Sequence, residues 1–217
     1  MIFAKIDFIN LLPLHVFIKK NLSSTQRKQI IEYKKSYPSL INQKFRQRKV
    51  DAAVISSIAS RHAKKSLDLG IVAKGAVDSV LVRKGNYKKD FQSETSNALA
   101  KVLGIEGEVI IGDKALFEFY NSSEKFIDLA EEWKKRYNLP FVFARLCVNK
   151  HERYLKKFAK KFLQTKVYIP QYILEKYSQS SGLSKKQIKS YLTKIHYEIG
   201  VQEKKSLKLF LKLSKEI

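Results

Sequence analysis

The sequence predicts a mixed α/β fold with mostly parallel sheets, and three observations carry this. Through residue 148, short runs of β-branched and aliphatic residues alternate with amphipathic, cap-initiated stretches, the alternation that builds βαβ units. Small polar residues stand where those runs end, as they do where strands hand over to helices. Beyond Lys150 only helical patterns remain. The 217 residues and 44% hydrophobic content can bury the core of one large domain or two small lobes. No repeat of 20–50 residues is present. No Gly/Ser-rich linker marks a boundary, so any two lobes must be joined by strands.

The elements follow in order. Ile2–Phe8 alternates apolar and polar residues and reads as a strand, closed off by Asn10-Leu11-Leu12-Pro13. Thr25–Lys35 is polar and reads as a helix. Ser39–Arg48 follows Pro38 and carries Leu40, Ile41 and Phe45, a short amphipathic helix. Val50–Ile55 has the uniform apolar character of a buried parallel strand. Ser56-Ser57 can cap a helix over Ile58–Lys65. Leu69–Lys74 and Ser79–Arg83 are strands on either side of Gly75.

Ser93-Glu94-Thr95-Ser96 opens a helix through Leu103, and Glu108–Ile111 is a strand ending at Gly112-Asp113. Ser123 can cap a helix through Arg136 that carries Phe126, Leu129, Ala130 and Trp133 on one face. Asn138-Leu139-Pro140 breaks it, and Phe141–Val148 is a further strand. The last third holds a helix at Tyr154–Phe162, and another with Pro170 in its first turn. A third carries a capping box at Ser184–Gln187, and a fourth spans Gln202–Lys215.

Composition excludes several classes. A 12% aromatic content argues against disorder. One cysteine excludes a disulfide framework and a cysteine-based zinc site. No apolar run reaches the ~18 residues of a membrane span. The opening segment lacks a basic n-region and is interrupted by Lys5 and Asp7, so no signal peptide is read and the expected location is the cytoplasm. The net charge is +23, and residues 150–217 hold 17 Lys or Arg against 5 Asp or Glu. Such charge suits a nucleic-acid or anionic-membrane surface, the capture of small anions, or the solvated faces of a lysine-rich protein. The helical spacing of the lysines, with no block of five like charges, favours solvated faces.

Familiar catalytic motifs are absent: there is no GxGxxG, GxxxxGK[ST], HExxH or GxSxG. His15, His62, His151 and His196 lack metal-ligand spacing, and Cys147 lies in an apolar run. What stands out is a set of polar residues at strand ends: Asn10, Ser56 and Ser57, Ser79, then Ser93, Thr95 and Ser96, and Gly112-Asp113. Open α/β sheets bind ligands beyond the carboxyl ends of their strands, and helix N-termini there hold anions. The same residues also serve simply as helix caps. Four such clusters point to a site for a polar or carboxylate ligand.

The segments IDFINLLPL, VDAAVISSIA (50–59), GAVDSVLV (75–82), SETSNALAKVL (93–103), IGDKAL (111–116), IDLAEEWKKRYNLPFVFA (127–144) and YLTKIHYEIGVQEKKSLKLF (191–210) carry a resemblance. Together they span nearly the whole chain. The chain resembles the MqnA/MqnD family of futalosine-dependent menaquinone biosynthesis, and most closely its chorismate dehydratase branch. The sister branch has a Pro-Cys-Pro-Asn signature and a catalytic histidine; here Asn10 sits in Asn-Leu-Leu-Pro instead. Two departures stand out: Arg145-Leu146 replaces the usual aromatic after PFVFA, and the chain is shorter than many relatives.

The resemblance implies a type II periplasmic-binding-protein-like fold, with two α/β lobes, a ligand cleft and a strand hinge. Lobe one would be roughly 1–82 plus 176–217, and lobe two 83–175. It implies a carbon–oxygen lyase that dehydrates chorismate to 3-[(1-carboxyvinyl)oxy]benzoate without cofactor or metal. Asn10 and Ser79 would be the catalytic pair. Ser56, Ser57, Thr95, Ser96, Gly112 and Asp113 would hold carboxylates. The expected partner is the small molecule alone, with neither nucleic acid nor membrane. The alternatives are a non-catalytic carboxylate-binding protein of the same fold and a nucleic-acid-binding protein.

Overall fold

Strand β1 (Phe3–Ile6) ends at a 3-10 turn, Ile9–Leu11, that runs directly into α1 (Leu12–Asn21). Pro13 sits in the first turn of α1, where its missing N–H leaves nothing unpaired. The computed structural model describes residues 1–21 and 35–216. The helix expected over Thr25–Lys35 lies outside them except at Lys35, which belongs to β2 (Lys35–Ser36). The chain continues through α2 (Pro38–Arg46), β3 (Ala52–Ser56), α3 (Ser57–Ser60), β4 (Ser66–Ala73) and β5 (Val80–Arg83). Next come α4 (Glu94–Leu103), β6 (Glu108–Ile111), α5 (Gly112–Asn121), β7 (Phe126–Asp128), α6 (Leu129–Tyr137) and β8 (Phe141–Val148). The remainder is α7 (Glu152–Leu163), α8 (Gln171–Ser181), α9 (Lys185–Lys194), β9 (Ile195–Glu198) and α10 (Val201–Leu213).

The strands form two sheets, one ordered β2-β1-β3-β8-β4-β9 and one ordered β6-β5-β7. Only the β1–β2 and β1–β3 pairs are parallel among the described residues; β8 runs antiparallel between β3 and β4, and the smaller sheet is antiparallel throughout. The expectation of mostly parallel sheets is therefore corrected. A strand covered on both faces is uniformly apolar whichever way it runs, so Val50–Ile55 carried no direction in its residues. β8 is central in the larger sheet, and α7 packs on β4 of that sheet.

Two expected helices change, and a strand appears in the C-terminal third. The helix after Ser56 stops at Ser60, because β4 begins six residues later and Ser60 Oγ hydrogen-bonds back to the Ser57 carbonyl. The helix expected from Ser123 starts instead at Leu129, since Phe126–Asp128 pairs with β5 as an edge strand. Its N-cap is Asp128, whose Oδ1 accepts from the Ala130 and Glu131 N–H groups. The C-terminal third is not purely helical: Ile195–Glu198 pairs with β4. Pro170 is the N-cap of α8, and the Ser184–Gln187 capping box forms as read.

One extended core joins the layers. Trp133 is fully buried against the rings of Tyr137, Phe141 and Phe210, and its Nε1–H donates to Ser206 Oγ at 2.9 Å. That single bond ties α6 beneath the smaller sheet to α10. No helix among the described residues is long and apolar enough to cross a membrane.

Candidate active site

A cavity of about 70 Å³ opens between the two sheets. Its wall takes Phe8 and Asn10 from the turn after β1, Ser56 from the end of β3, and Ser79 from the residue before β5. Ser93 and Ser96 come from the start of α4, and Gly112 from the start of α5. Phe143 and Ala144 of β8 and Ile195 of β9 complete it. The strand-end rule thus operates here: elements far apart in sequence converge because their sheets present their ends to one gap.

Each polar side chain is held by neighbours. Ser56 Oγ accepts from Asn42 Nδ2 at 3.0 Å and from the Ala59 N–H at 3.3 Å, while the Ser56 N–H donates to Asn42 Oδ1. Asn42 was not singled out in the sequence, where it looks like an ordinary polar residue on a short helix. Ser93 Oγ accepts from the Ser96 N–H and donates to Ser96 Oγ at 2.8 Å. That leaves the Ser96 hydroxyl free to donate toward a ligand. The Ser79 carbonyl accepts from the Gly112 N–H at 2.8 Å. The Tyr197 hydroxyl donates to the Asn10 carbonyl at 2.7 Å, anchoring the turn that presents the Asn10 side chain. Gly112 has φ +65°, and an added Cβ would meet the Phe8 ring at 2.9 Å, so the ring packs on bare backbone.

Three expected ligand-binding residues do not line the cavity. Ser57 Oγ donates to the Val142 carbonyl at 2.5 Å, and Thr95 Oγ1 accepts from the Ile58 N–H at 3.1 Å. Asp113 Oδ1 accepts from the Ile9 N–H. Their hydroxyls and carboxylate brace the shell around the pocket, which strand-end position alone could not distinguish from facing it.

Among the described residues, the cavity wall carries no Lys, Arg, His, Asp or Glu. An ion pair lies behind Ser79, where the buried Asp78 meets Lys194 at 2.5 Å. Asp113 is pushed up to about 6 by burial, with Asp7 adding to the rise and the Ile9 N–H opposing it. Burial pushes the Cys147 thiol up to about 12, which keeps it protonated and unreactive. Donors available to a bound anion are therefore hydroxyls, the Asn10 amide and backbone N–H groups at helix starts. No group of three or more His, Cys, Asp or Glu among the described residues could hold a metal.

The described menaquinone-biosynthesis family matches residues 91–216. A chorismate dehydratase from Campylobacter jejuni subsp. jejuni serotype O:23/36 (strain 81-176) is 49% identical over 221 residues, covering 100% of this chain and 99% of its own. The chain belongs to the menaquinone-biosynthesis family. Among solved structures, an Archaeoglobus fulgidus protein matches this family member with a TM-score of 0.73 at 13% identity, covering 99% of this chain and 96% of that one. A Candida albicans gene product, described as having the generic periplasmic binding protein fold, matches with a TM-score of 0.53 at 13% identity, over 100% and 90%. The fold of this menaquinone-biosynthesis family member is thus periplasmic-binding-protein-like.

Arg145 and Leu146, where the sequence is expected to depart from its relatives, do not line the cavity. Leu146 is buried in the core, and Arg145 lines a separate groove with Arg61, Lys204, Lys208 and Lys212 along α10. Leucine and isoleucine side chains line that groove, and among the described residues no Phe, Tyr or Trp lines it.

Proposed function

We propose that this chain is a chorismate dehydratase, a carbon–oxygen lyase that converts chorismate to 3-[(1-carboxyvinyl)oxy]benzoate and water. The observation that carries it is 49% identity to such an enzyme over the full chain. The supporting geometry is a cavity that gathers Asn10, Ser56, Ser79 and Ser96.

In the reaction the C3–H bond breaks, the electron pair spreads through the ring double bond toward the ring carboxylate, and the C4–O bond then breaks. A C3=C4 bond forms and the ring becomes aromatic; the proton and the departing hydroxide make water. Aromatisation drives the step, so the protein's work is to bind two carboxylates and stabilise charge as it moves. Asn10 donates to the leaving hydroxyl, and Ser79 donates to it or to the ring carboxylate. Ser56, Ser96 and the N–H groups opening α4 and α5 take the other carboxylate. With no acidic or basic side chain among the described residues of the wall, the substrate's own enolpyruvyl carboxylate accepts the proton.

The two sheets are read as the cores of two lobes, the smaller spanning roughly residues 80–137 and the larger the remainder. This division follows strand membership, beside the sequence-based expectation of boundaries near 82 and 175. A cytoplasmic location suits the single free, buried Cys147.

Incubating purified protein with chorismate, with aromatic absorbance and mass spectrometry as readouts, tests the reading. The expected product is 18 mass units lighter than chorismate, the mass of one water. Saturable chorismate binding without turnover would instead make this a carboxylate-binding protein of the same fold.

A further inference from the structure

We infer that Tyr191 is a positioning residue for Ser79: its hydroxyl fixes the direction of the Ser79 O–H and so makes Ser79 a donor to the cavity's occupant. The inference rests on the reading of Ser79 as a catalytic group.

Tyr191 lies on α9, and its side chain is fully buried. Its hydroxyl donates to Ser79 Oγ at 3.0 Å, across 112 residues of sequence. A hydroxyl has one proton to give, and Ser79 cannot return its own along the same line. The Ser79 O–H must therefore point away from Tyr191, and the Ser79 side chain lines the cavity. The result is a relay of one polarity: Tyr191 O–H to Ser79 Oγ, and Ser79 O–H to the ligand. Such chains strengthen each successive donor.

Two further observations support a fixed geometry. Lys194, three residues on from Tyr191, pairs with the buried Asp78, so the same helix is pinned against Asp78-Ser79 at a second point. Burial holds the Tyr191 phenol far above its ordinary range, so it stays a donor at any working pH. Tyr191 itself does not line the cavity, and its effect must pass through Ser79.

The test uses the purified full chain with chorismate. Y191F keeps the ring and removes the donor. The expected result is a kcat loss of roughly tenfold to a hundredfold, the scale for a supporting hydrogen bond behind a reacting group, with KM within about threefold of wild type. S79A should lower kcat on its own, and Y191F should cost nothing more in the S79A background. Wild-type kcat in Y191F, or losses that multiply in the double variant, would overturn the inference. A wild-type rate in S79A would instead overturn the reading of Ser79 itself, and the positioning role with it.

Should Y191F fail to fold, 3,5-difluorotyrosine at position 191 serves, because it preserves shape but is a more acidic phenol. Its kcat should fall on the alkaline side, where wild type stays flat, as the phenolate can no longer donate to Ser79. A pH profile superimposable on wild type would overturn the inference.

Discussion

Thr95 Oγ1, at the start of α4, accepts a hydrogen bond from the Ile58 N–H on α3 at 3.1 Å. This bond spans the gap between the elements of the two sheets, beside the cavity but not within it. Thr95 is almost wholly buried, so its hydroxyl is there to satisfy a backbone group of the facing layer. Thr95→Val keeps the shape and leaves the Ile58 N–H unpaired. It should destabilise the fold by about 1–2 kcal/mol, read as a lower denaturation midpoint with an unchanged m-value. An unchanged midpoint would mean that water replaces the bond at no cost.

Asn10→Ala should fold as wild type, because the turn is anchored through the Asn10 carbonyl and Tyr197 rather than through the amide. Turnover of chorismate should fall on the order of 10²-fold or more, the scale for one lost donor to developing charge. Near-wild-type turnover in the folded variant would remove Asn10 from the catalytic pair.

Asp113 makes stability depend on pH in a definite direction. Its carboxyl is pushed up to about 6 from 3.8, mainly by burial. Between roughly pH 4 and pH 6 the unfolded chain loses this proton while the folded chain keeps it, so stability falls as pH rises through that window. Above about 6 both states are ionised, and the full penalty, of order 3 kcal/mol at most, is in place. Asp113→Asn keeps an acceptor for the Ile9 N–H and removes the charge. The variant should match wild type near pH 4 and exceed it near pH 8, by urea melts at each pH. A pH-independent difference would mean that Asp113 is not the titrating group.

Gly112→Ala should be costly for two reasons that act together. The backbone has φ +65°, and the added methyl would meet the Phe8 ring at 2.9 Å. A loss of about 1–3 kcal/mol is expected, together with weaker chorismate turnover, because Phe8 lines the cavity and must move. A melting temperature equal to wild type would show that the turn relaxes freely.

Much of the fold was legible because it is local. Glu108–Ile111 and Phe141–Val148 are strands with the bounds read from their apolar runs. Ser93 and Ser184 cap helices as their spacing implied. The helix Gly112–Asn121 was missed because its start has no capping side chain, only a glycine in a left-handed conformation. Ser123 is the cap the sequence suggests, and Asp128 is the cap the structure uses. Asp128 wins in the fold because its second carboxylate oxygen also accepts from the Val77 and Asp78 N–H groups, some fifty residues away.

The sequence by itself determined the alternation of strands and helices, the capped helix starts, and the motif set that places the chain in its family. It also put Asn10 and Ser56 where strands end, Ser79 where one begins and Ser96 at a helix start, the junctions where ligands bind. Only the tertiary structure decided that β8 runs antiparallel between β3 and β4. It also turned Ser57, Thr95 and Asp113 into braces rather than wall, and brought Tyr191 onto Ser79. The periodicity of α9 shows that Tyr191 is buried, and a buried phenol must find a partner. Which partner it finds depends on where two remote segments meet, and hydrogen-bond direction and strand direction are set by that packing rather than by neighbours along the chain.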